Sequence, residues 1–451
     1  MGRRGTKADR VHVAHPLRRL LPYFAVDRLG GQSVIAFGLK AWGAVASFAL
    51  NWLIARQFGP AGSGAFGIAL STLTIASYCV LAGLDTIVVR TVAGDLAEHK
   101  VAAAHGVVVA VRRIVTVMAP LTALVLFLLR QPFAVHVLNA PSIAPIIGVM
   151  LWAIIPLTLQ RIASAALRGS GRMLVSQLID GPVGTTFAAV AFAVAIATGT
   201  EYGLALPAGL YLIGVSGGAV AGWWSFRAVS RAWPAALPVA VAPLVIAGLP
   251  ILASNLSQLF TEWYTTVSLA AHWPLAVVGQ YRAAWQFVML AGLVQLTMEI
   301  MIGPRIAAAA RIGDTTTIAR TARRMVGLVL VLAAPLFLAI FVAPDFLLGI
   351  FGPRFVPGAL ALQILGVGQL IRLACGPLGV ILVMTGNQRW VLVQAAVAVV
   401  LCVGFAWWLI PPYGAAGAAA ATTAAIVGRN LMAMVLVRYV CGINLFRRAA
   451  R

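Results

Sequence analysis

Along the chain, apolar runs of twenty or more residues alternate with short polar stretches rich in arginine. A lipid core of ~30 Å takes about 20 helical residues to cross. Runs of that length fall at 31–55, 64–90, 105–128, 142–166, 172–198, 203–227, 241–270, 277–303, 321–342, 357–384, 389–410 and 414–438. Hydrocarbon offers no partner for backbone amides and carbonyls, so each run must satisfy its own as a helix. The pattern predicts an all-α integral membrane protein with twelve transmembrane helices. The segments between them are too short to hold a soluble domain.

Basic residues orient these spans. With the amino terminus inside, the cytoplasmic ends and loops hold 25 Lys and Arg residues, and the opposite side holds Arg56, Arg130 and Arg354. Cytoplasmic loops of membrane proteins concentrate Lys and Arg, so this split puts both termini in the cytoplasm. No cleavable signal peptide is expected, because the first apolar run begins only near Gly31 and is long enough to span.

The chain also repeats itself. Gly64 to Arg90 and Gly279 to Arg305 are equal in length and offset by 215, with Asp85 matched within one residue by Glu299. Arg168 to Gln177 resembles Thr385 to Gln394 at an offset of 217, and Tyr202-Gly203 resembles Tyr413-Gly414. Six crossings return the chain to its starting side, so the halves form a parallel repeat related by an axis along the membrane normal. The expected organisation is a basic cytoplasmic segment (1–30), a first six-helix lobe (31–228), a cytoplasmic linker (229–240), a second lobe (241–438) and a basic tail (439–451).

Phe58 to Arg90 resembles the second-helix signature of the Wzx-type polysaccharide flippases. These belong to the multidrug/oligosaccharidyl-lipid/polysaccharide (MOP) exporter superfamily. Phe66 stands where that signature has tyrosine. Leu362 to Arg389 resembles the family's tenth helix with its Thr-Gly-x-x-Arg end, and Pro411 to Ala425 resembles the start of its twelfth. The resemblance implies two lobes in a V, and a place in the bacterial inner membrane. It implies that a polyprenyl-diphosphate-linked oligosaccharide is moved to the outer leaflet by alternating access. Membrane lipid, a proton or other coupling cation, and a polysaccharide polymerase are the partners it implies.

Composition narrows the classes. The chain is 61% hydrophobic and only 10% charged, with a mean hydropathy of +0.97. Its formal charge of +22 follows from the loop bias rather than from nucleic-acid binding. Cys79, Cys375, Cys402 and Cys441 form no Cys-x-x-Cys pair, so neither a metal site nor a disulfide framework is expected. No cofactor motif, Ser/His/Asp set or paired carboxylate site is present, and a transporter is expected rather than an enzyme.

Charges inside the spans are the candidate chemistry. Lys40, Arg161, Arg282, Arg372 and Arg429 are basic, and Asp85, Asp180, Glu262 and Glu299 are acidic. Each costs roughly 2.5–3.5 kcal/mol at the bilayer centre, so they should face the bundle interior or a wet cavity. Arg161, Asp180 and Glu299 lie near the inner ends of their spans and Arg282 near an outer end, where snorkelling or local ion pairing competes with a cavity role. Lys40, Arg372 and Arg429 are deeper. Asp85 either pairs with Arg90 or serves as a gating or coupling acid, a role also open to Glu262 and Glu299. Lys40, Ser47 and Asn51 share one helical face, as do Asn255, Gln258, Glu262 and Thr266. These stripes line a cavity or serve as interhelical hydrogen-bonding glue.

The binding set expected for an anionic lipid-linked sugar is therefore Lys40, Arg282, Arg372, Arg429, Asn51, Asn255 and Gln258. A multidrug exporter would favour an acidic cavity. A lipid II exporter of the MurJ type usually has fourteen spans, and a membrane polymerase or ligase usually has a long outer loop. The longest outer stretch here is about 343–356. The topology is checked by labelling in a cysteine-free background. A cysteine at Ala343 should react with an impermeant maleimide added outside, and one at Asp314 should not; the reverse pattern removes the assignment.

Overall fold

The computed structural model describes residues 26–199 and 202–443. Residues 1–25 of the basic amino-terminal segment and 444–451 of the tail, with their expected cytoplasmic location, lie outside the described residues, and 26–30 already belong to the first helix. No strand occurs among the described residues. The helices are α1 Val26–Leu81, α2 Leu84–Ala97, α3 Val101–Pro132, α4 Ala144–Trp152, α5 Ile154–Gly169, α6 Met173–Ile179, α7 Pro182–Ala197 and α8 Ala205–Ser230 in the first half. In the second half they are α9 Val241–His272, α10 Leu275–Arg311, α11 Thr315–Val342, α12 Pro344–Gly349, α13 Ala359–Cys375, α14 Leu378–Met384 and α15 Gln388–Val440.

Nine helical stretches among the described residues are long and apolar enough to cross a membrane. Two of these contain sharp reversals. In α15, Gly414 has φ 53° and ψ −123°. Leu401 packs on Gly428, and Ala398 and Cys402 cluster with Ala425. Residues nearly equidistant from Gly414 therefore meet, and the two limbs form a hairpin. In α1 the break is Gly59 at φ 65°, followed by Pro60. Positive φ favours glycine, and a proline in the first turn loses no helical hydrogen bond. On one side of Gly59, Gly64 and Gly67 meet Gly279 and Arg282. On the other side, Phe48 meets Phe287 with ring centroids 5.6 Å apart. Both limbs thus descend along α10 from the same apex. With these hairpins and the 37-residue α10, the element order accommodates the twelve expected crossings.

Four runs expected to be continuous are broken, the fifth span among them, at Asp180 and Gly181 between α6 and α7. The second span stops at Leu81 and resumes as α2, after Gly83 at φ 75°. The fourth breaks at Ala153 between α4 and α5. The tenth breaks at Gly376 (φ 80°) and Pro377, between α13 and α14, where proline has no amide to continue the ladder. The stretch 343–356, expected to lie outside, is not a simple loop. It forms α12 and a 3-10 turn over Pro353–Gly358, anchored by Phe351 and Phe355, both buried. At the start of α11, Asp314 accepts hydrogen bonds from Thr317 N at 2.9 Å and Thr316 Oγ1 at 2.7 Å. Hydrogen bonding from Thr317 and Thr316 holds its carboxyl down at about 2, so this cap persists at any pH above that value and is lost only as pH falls through it.

The halves meet along α1 against α9 and α10, and the contacts obey the repeat. A Cβ on Gly64 would strike the carbonyl oxygen of Leu275, and one on Gly279 would strike that of Pro60. Pro60 and Leu275 differ by 215, as do Gly64 and Gly279. Phe48 touches Phe287, and Trp263 Nε1 donates to Thr72 Oγ1 at 3.2 Å. Those two contacts interchange under the same offset. Gly67 lies against Arg282, its own counterpart. Contacts that map onto themselves when the halves are exchanged define a two-fold axis between them.

Gly64→Leu and Gly279→Leu should each destabilise the protein by more than the usual 1–3 kcal/mol of an overpacked core, about the scale expected where backbone itself must move. Gly209, with open space around it, provides the control substitution Gly209→Leu. Thermal unfolding in detergent measures the difference, and equal behaviour of the three variants would remove the close-approach argument.

Candidate functional site

A cavity opens in the second half between α9, α10, α13 and α15. Ser257, Gln258, Thr261 and Glu262 line it from α9, Trp285 and Met289 from α10, and Arg372 from α13. Ala398, Thr422, Ala425, Ile426 and Arg429 line it from the two limbs of α15. The spacing explains the gathering. Residues three and four apart on a helix share a face, so 258, 261 and 262, then 285 and 289, then 422, 425, 426 and 429 each form one stripe.

One ion pair crosses this region. Arg282 Nη1 lies 2.7 Å from Glu262 Oε1, with side chains 15% and 30% exposed. Beside it, Tyr281 Oη and Thr422 Oγ1 are 2.9 Å apart, and Thr265 Oγ1 and Cys402 Sγ are 3.3 Å apart. Thr265 Oγ1 also donates to the Thr261 carbonyl at 2.8 Å. The Tyr281–Thr422 bond ties α10 to α15, and the Thr265–Cys402 bond ties α9 to α15, behind the cavity wall. Deeper, Gln295 Nε2 donates to Glu299 Oε1 at 2.7 Å. Glu299 feels the charges of Arg372 and Arg429. No carboxylate among the described residues lies within 4.0 Å of either arginine. Next to this cluster Gln369 is fully buried, with neither side-chain polar atom partnered.

The first half has its own charged cluster. Arg168 Nη2 lies 3.5 Å from Asp180 Oδ2. The Arg161 guanidinium lies over the Tyr78 ring, 4.3 Å from its centroid. Asp180 is within electrostatic reach of Arg161, Arg168, Asp85 and Lys40. The buried Oδ1 of Asp85 has no hydrogen-bond partner.

The structure thus brings Gln258, Glu262, Arg372 and Arg429 together at one cavity, with Glu299 behind them. It places Arg282 in an ion pair with Glu262, so the lone outer cation expected from sequence is half of a neutral unit. Lys40 and Asp85 belong to the first-half cluster instead. Asn51 Nδ2 donates to the Ser47 carbonyl at 2.8 Å, which satisfies its amide within its own helix. Neither Asn51 nor Asn255 is among the residues lining this cavity, so the two polar stripes do not wall a single chamber here. Trp285, Met289 and Thr422 do not stand out in the sequence. An apolar side chain on an apolar helix carries no signal until its neighbours are known.

Comparison with known proteins locates the fold. Residues 250–408 match the MatE family model. No curated protein sequence matches the chain. Among solved structures, a multidrug resistance MATE family transporter of the MOP superfamily, in an inward-facing conformation, superposes with a TM-score of 0.75 at 15% identity. The match covers 88% of this chain and 94% of that one. The lipid II flippase MurJ, in an inward closed conformation, gives 0.72 at 12% identity, covering 90% and 87%. A MOP superfamily transporter from Pyrococcus furiosus, described as having a binding pocket of reverse polarity, gives 0.64 at 15% identity, covering 89% and 92%. The fold is that of the two-lobed MOP transporters.

The ion pair is tested by a double-mutant cycle on Glu262→Gln and Arg282→Gln. Each single change leaves a partly buried charge unpaired, and the double change restores neutrality. A coupling of about 0.5–3 kcal/mol in unfolding free energy is expected for charges in contact. A coupling near zero would mean that the pair is screened and leaves Arg282 available to an anion.

Proposed function

We propose that the protein is a flippase for a polyprenyl-diphosphate-linked oligosaccharide, moving it across the bacterial inner membrane by alternating access of two lobes, 31–228 and 241–438. The observation that carries this reading is the cavity lined by Arg372 and Arg429, with no carboxylate among the described residues in contact with either. Its one lining acid, Glu262, is already taken by Arg282. A cationic drug would meet net positive charge there. A diphosphate would meet two guanidinium groups, whose planar donors suit phosphate oxygens. Ser257, Gln258, Thr261 and Thr422 offer hydroxyl and amide groups, and Trp285 offers an apolar ring face. Those are groups that suit sugar hydroxyls and sugar ring faces.

The likeness to MurJ favours one second reading, export of a peptidoglycan precursor. That cargo has the same lipid-diphosphate chemistry, so the cationic site serves both, and only the sugar differs. Which lipid accumulates in a depleted strain decides between them.

Loss of one charged hydrogen-bond donor removes about 1.5–3 kcal/mol of binding. Arg372→Ala and Arg429→Ala should therefore leave the protein in the membrane while lipid-linked repeat units accumulate on the cytoplasmic leaflet. Lysine at either position should restore part of the flux, since it keeps the charge and loses the bidentate fork. Normal polysaccharide export by both alanine variants would overturn the proposal.

A further inference from the structure

The two charged clusters correspond to one another. Arg161 stands in Arg161-Ile162-Ala163-Ser164 on α5, and Arg372 stands in Arg372-Leu373-Ala374-Cys375 on α13. Each run precedes the second repeat anchor of its half. The offset between the arginines is 211, against 217 for the anchors. The six extra residues of the second half fall where the chain breaks at Pro377 and adds α14. Each arginine also feels the acid of its half's second span, Asp85 for Arg161 and Glu299 for Arg372.

The charge balance is the same on both sides. Lys40, Arg161 and Arg168 face Asp85 and Asp180, and Arg372 and Arg429 face Glu299. Each cluster keeps one positive charge in excess. In the first half Asp180 is engaged by Arg168. Arg161 has no carboxylate within 4.0 Å among the described residues. The Nε atoms of Arg161 and Arg168 are both buried donors without an acceptor. Tyr78, Asp180 and Asp85 offset part of the Arg161 charge, but the excess charge of the cluster and its two unpaired guanidinium donors remain costly within a membrane span. An anion removes both penalties.

We propose that the Arg161–Arg168–Lys40 cluster is a second anion site, taking a phosphate group, and the first-half counterpart of the Arg372–Arg429 site. This rests on the reading of that cavity as a lipid-diphosphate site. α2, which carries Asp85, begins one residue after Gly83, and Gly83 lies against Gly248 of α9 where the halves meet. On the expected topology this is the cytoplasmic end of the seam. The Arg161 site is then the first to meet a headgroup entering from the inner leaflet, and the second-half cavity receives it next.

The test is calorimetric titration of the full-length protein in detergent with inorganic pyrophosphate, then with farnesyl diphosphate. Wild type should bind two equivalents of pyrophosphate. Arg161→Ala should bind one, and Arg372→Ala/Arg429→Ala should also bind one, now sensitive to Arg161→Lys. Two equivalents retained by Arg161→Ala would overturn the inference. So would a single wild-type equivalent lost only through Arg372 and Arg429, although the proposed function would then stand. No binding by wild type of either probe would remove both. If Arg161→Ala does not fold, Arg161→Lys keeps the charge and should weaken the first-half site by about tenfold, the scale of a lost bidentate bond. Unchanged affinity in that variant would equally overturn the site.

Discussion

Everything else in this molecule hangs on how closely the two halves approach at Gly64 and Gly279. Each glycine takes the backbone of the opposite half where a side chain would sit. Lipid gives helices no hydrophobic drive to associate, so small residues that admit close backbone packing hold such interfaces together. Because the contact is made by equivalent residues, it also sets the axis. Gly67 against Arg282, Phe48 against Phe287, and Trp263 against Thr72 follow once the first pair is in register. The hairpin breaks at Gly59 and Gly414 serve the same arrangement, since each turns two long helices back on themselves within a residue or two.

The symmetry is broken where chemistry begins. Exchanging the halves maps Arg282 onto Gly67 and Glu262 onto Ser47. One half therefore carries an ion pair at the seam, and the other offers the bare backbone on which the arginine stem rests. The cavity follows that asymmetry, since its lining comes wholly from the second half. Departures from the repeat thus give the two halves different linings at the seam.

Much of this is legible in the order of residues alone. Hydropathy and arginine placement indicate the spans, because lipid imposes its demand on every residue of a run. The repeat is legible because Gly64 and Gly279 sit at the same place in two runs of equal length. The deep arginines stand out because a charge in an apolar run carries an insertion cost that burial among partners or a wet cavity must offset. The cavity's apolar wall is not legible, since Trp285 and Met289 resemble any lipid-facing pair. The Arg282–Glu262 pair is hidden because its members are twenty residues apart on different helices. The breaks at Gly83 and Gly376 are hidden because glycine is common in membrane helices, and only positive φ distinguishes a break.

The seam holds a second set of contacts between the halves. At the end of the seam expected to lie outside, α12 finishes at Gly349, leaving the Ile350 carbonyl without a helical partner of its own. Trp52 Nε1 and Arg56 Nε of the first half both donate to it, at 2.9 and 3.1 Å. One lobe thus caps a helix of the other, and arginine is favoured there by the helix dipole as well. Phe48 packs on Phe351 from the same helix at 5.2 Å between centroids. Each hydrogen bond is worth about 0.5–1.5 kcal/mol net, and an aromatic pair adds about as much. Together they contribute a few kcal/mol to the join between the halves, beside the close packing of α1 on α10. On the proposed function, a contribution of that size is one that a ligand's differential affinity for two arrangements of the lobes could offset.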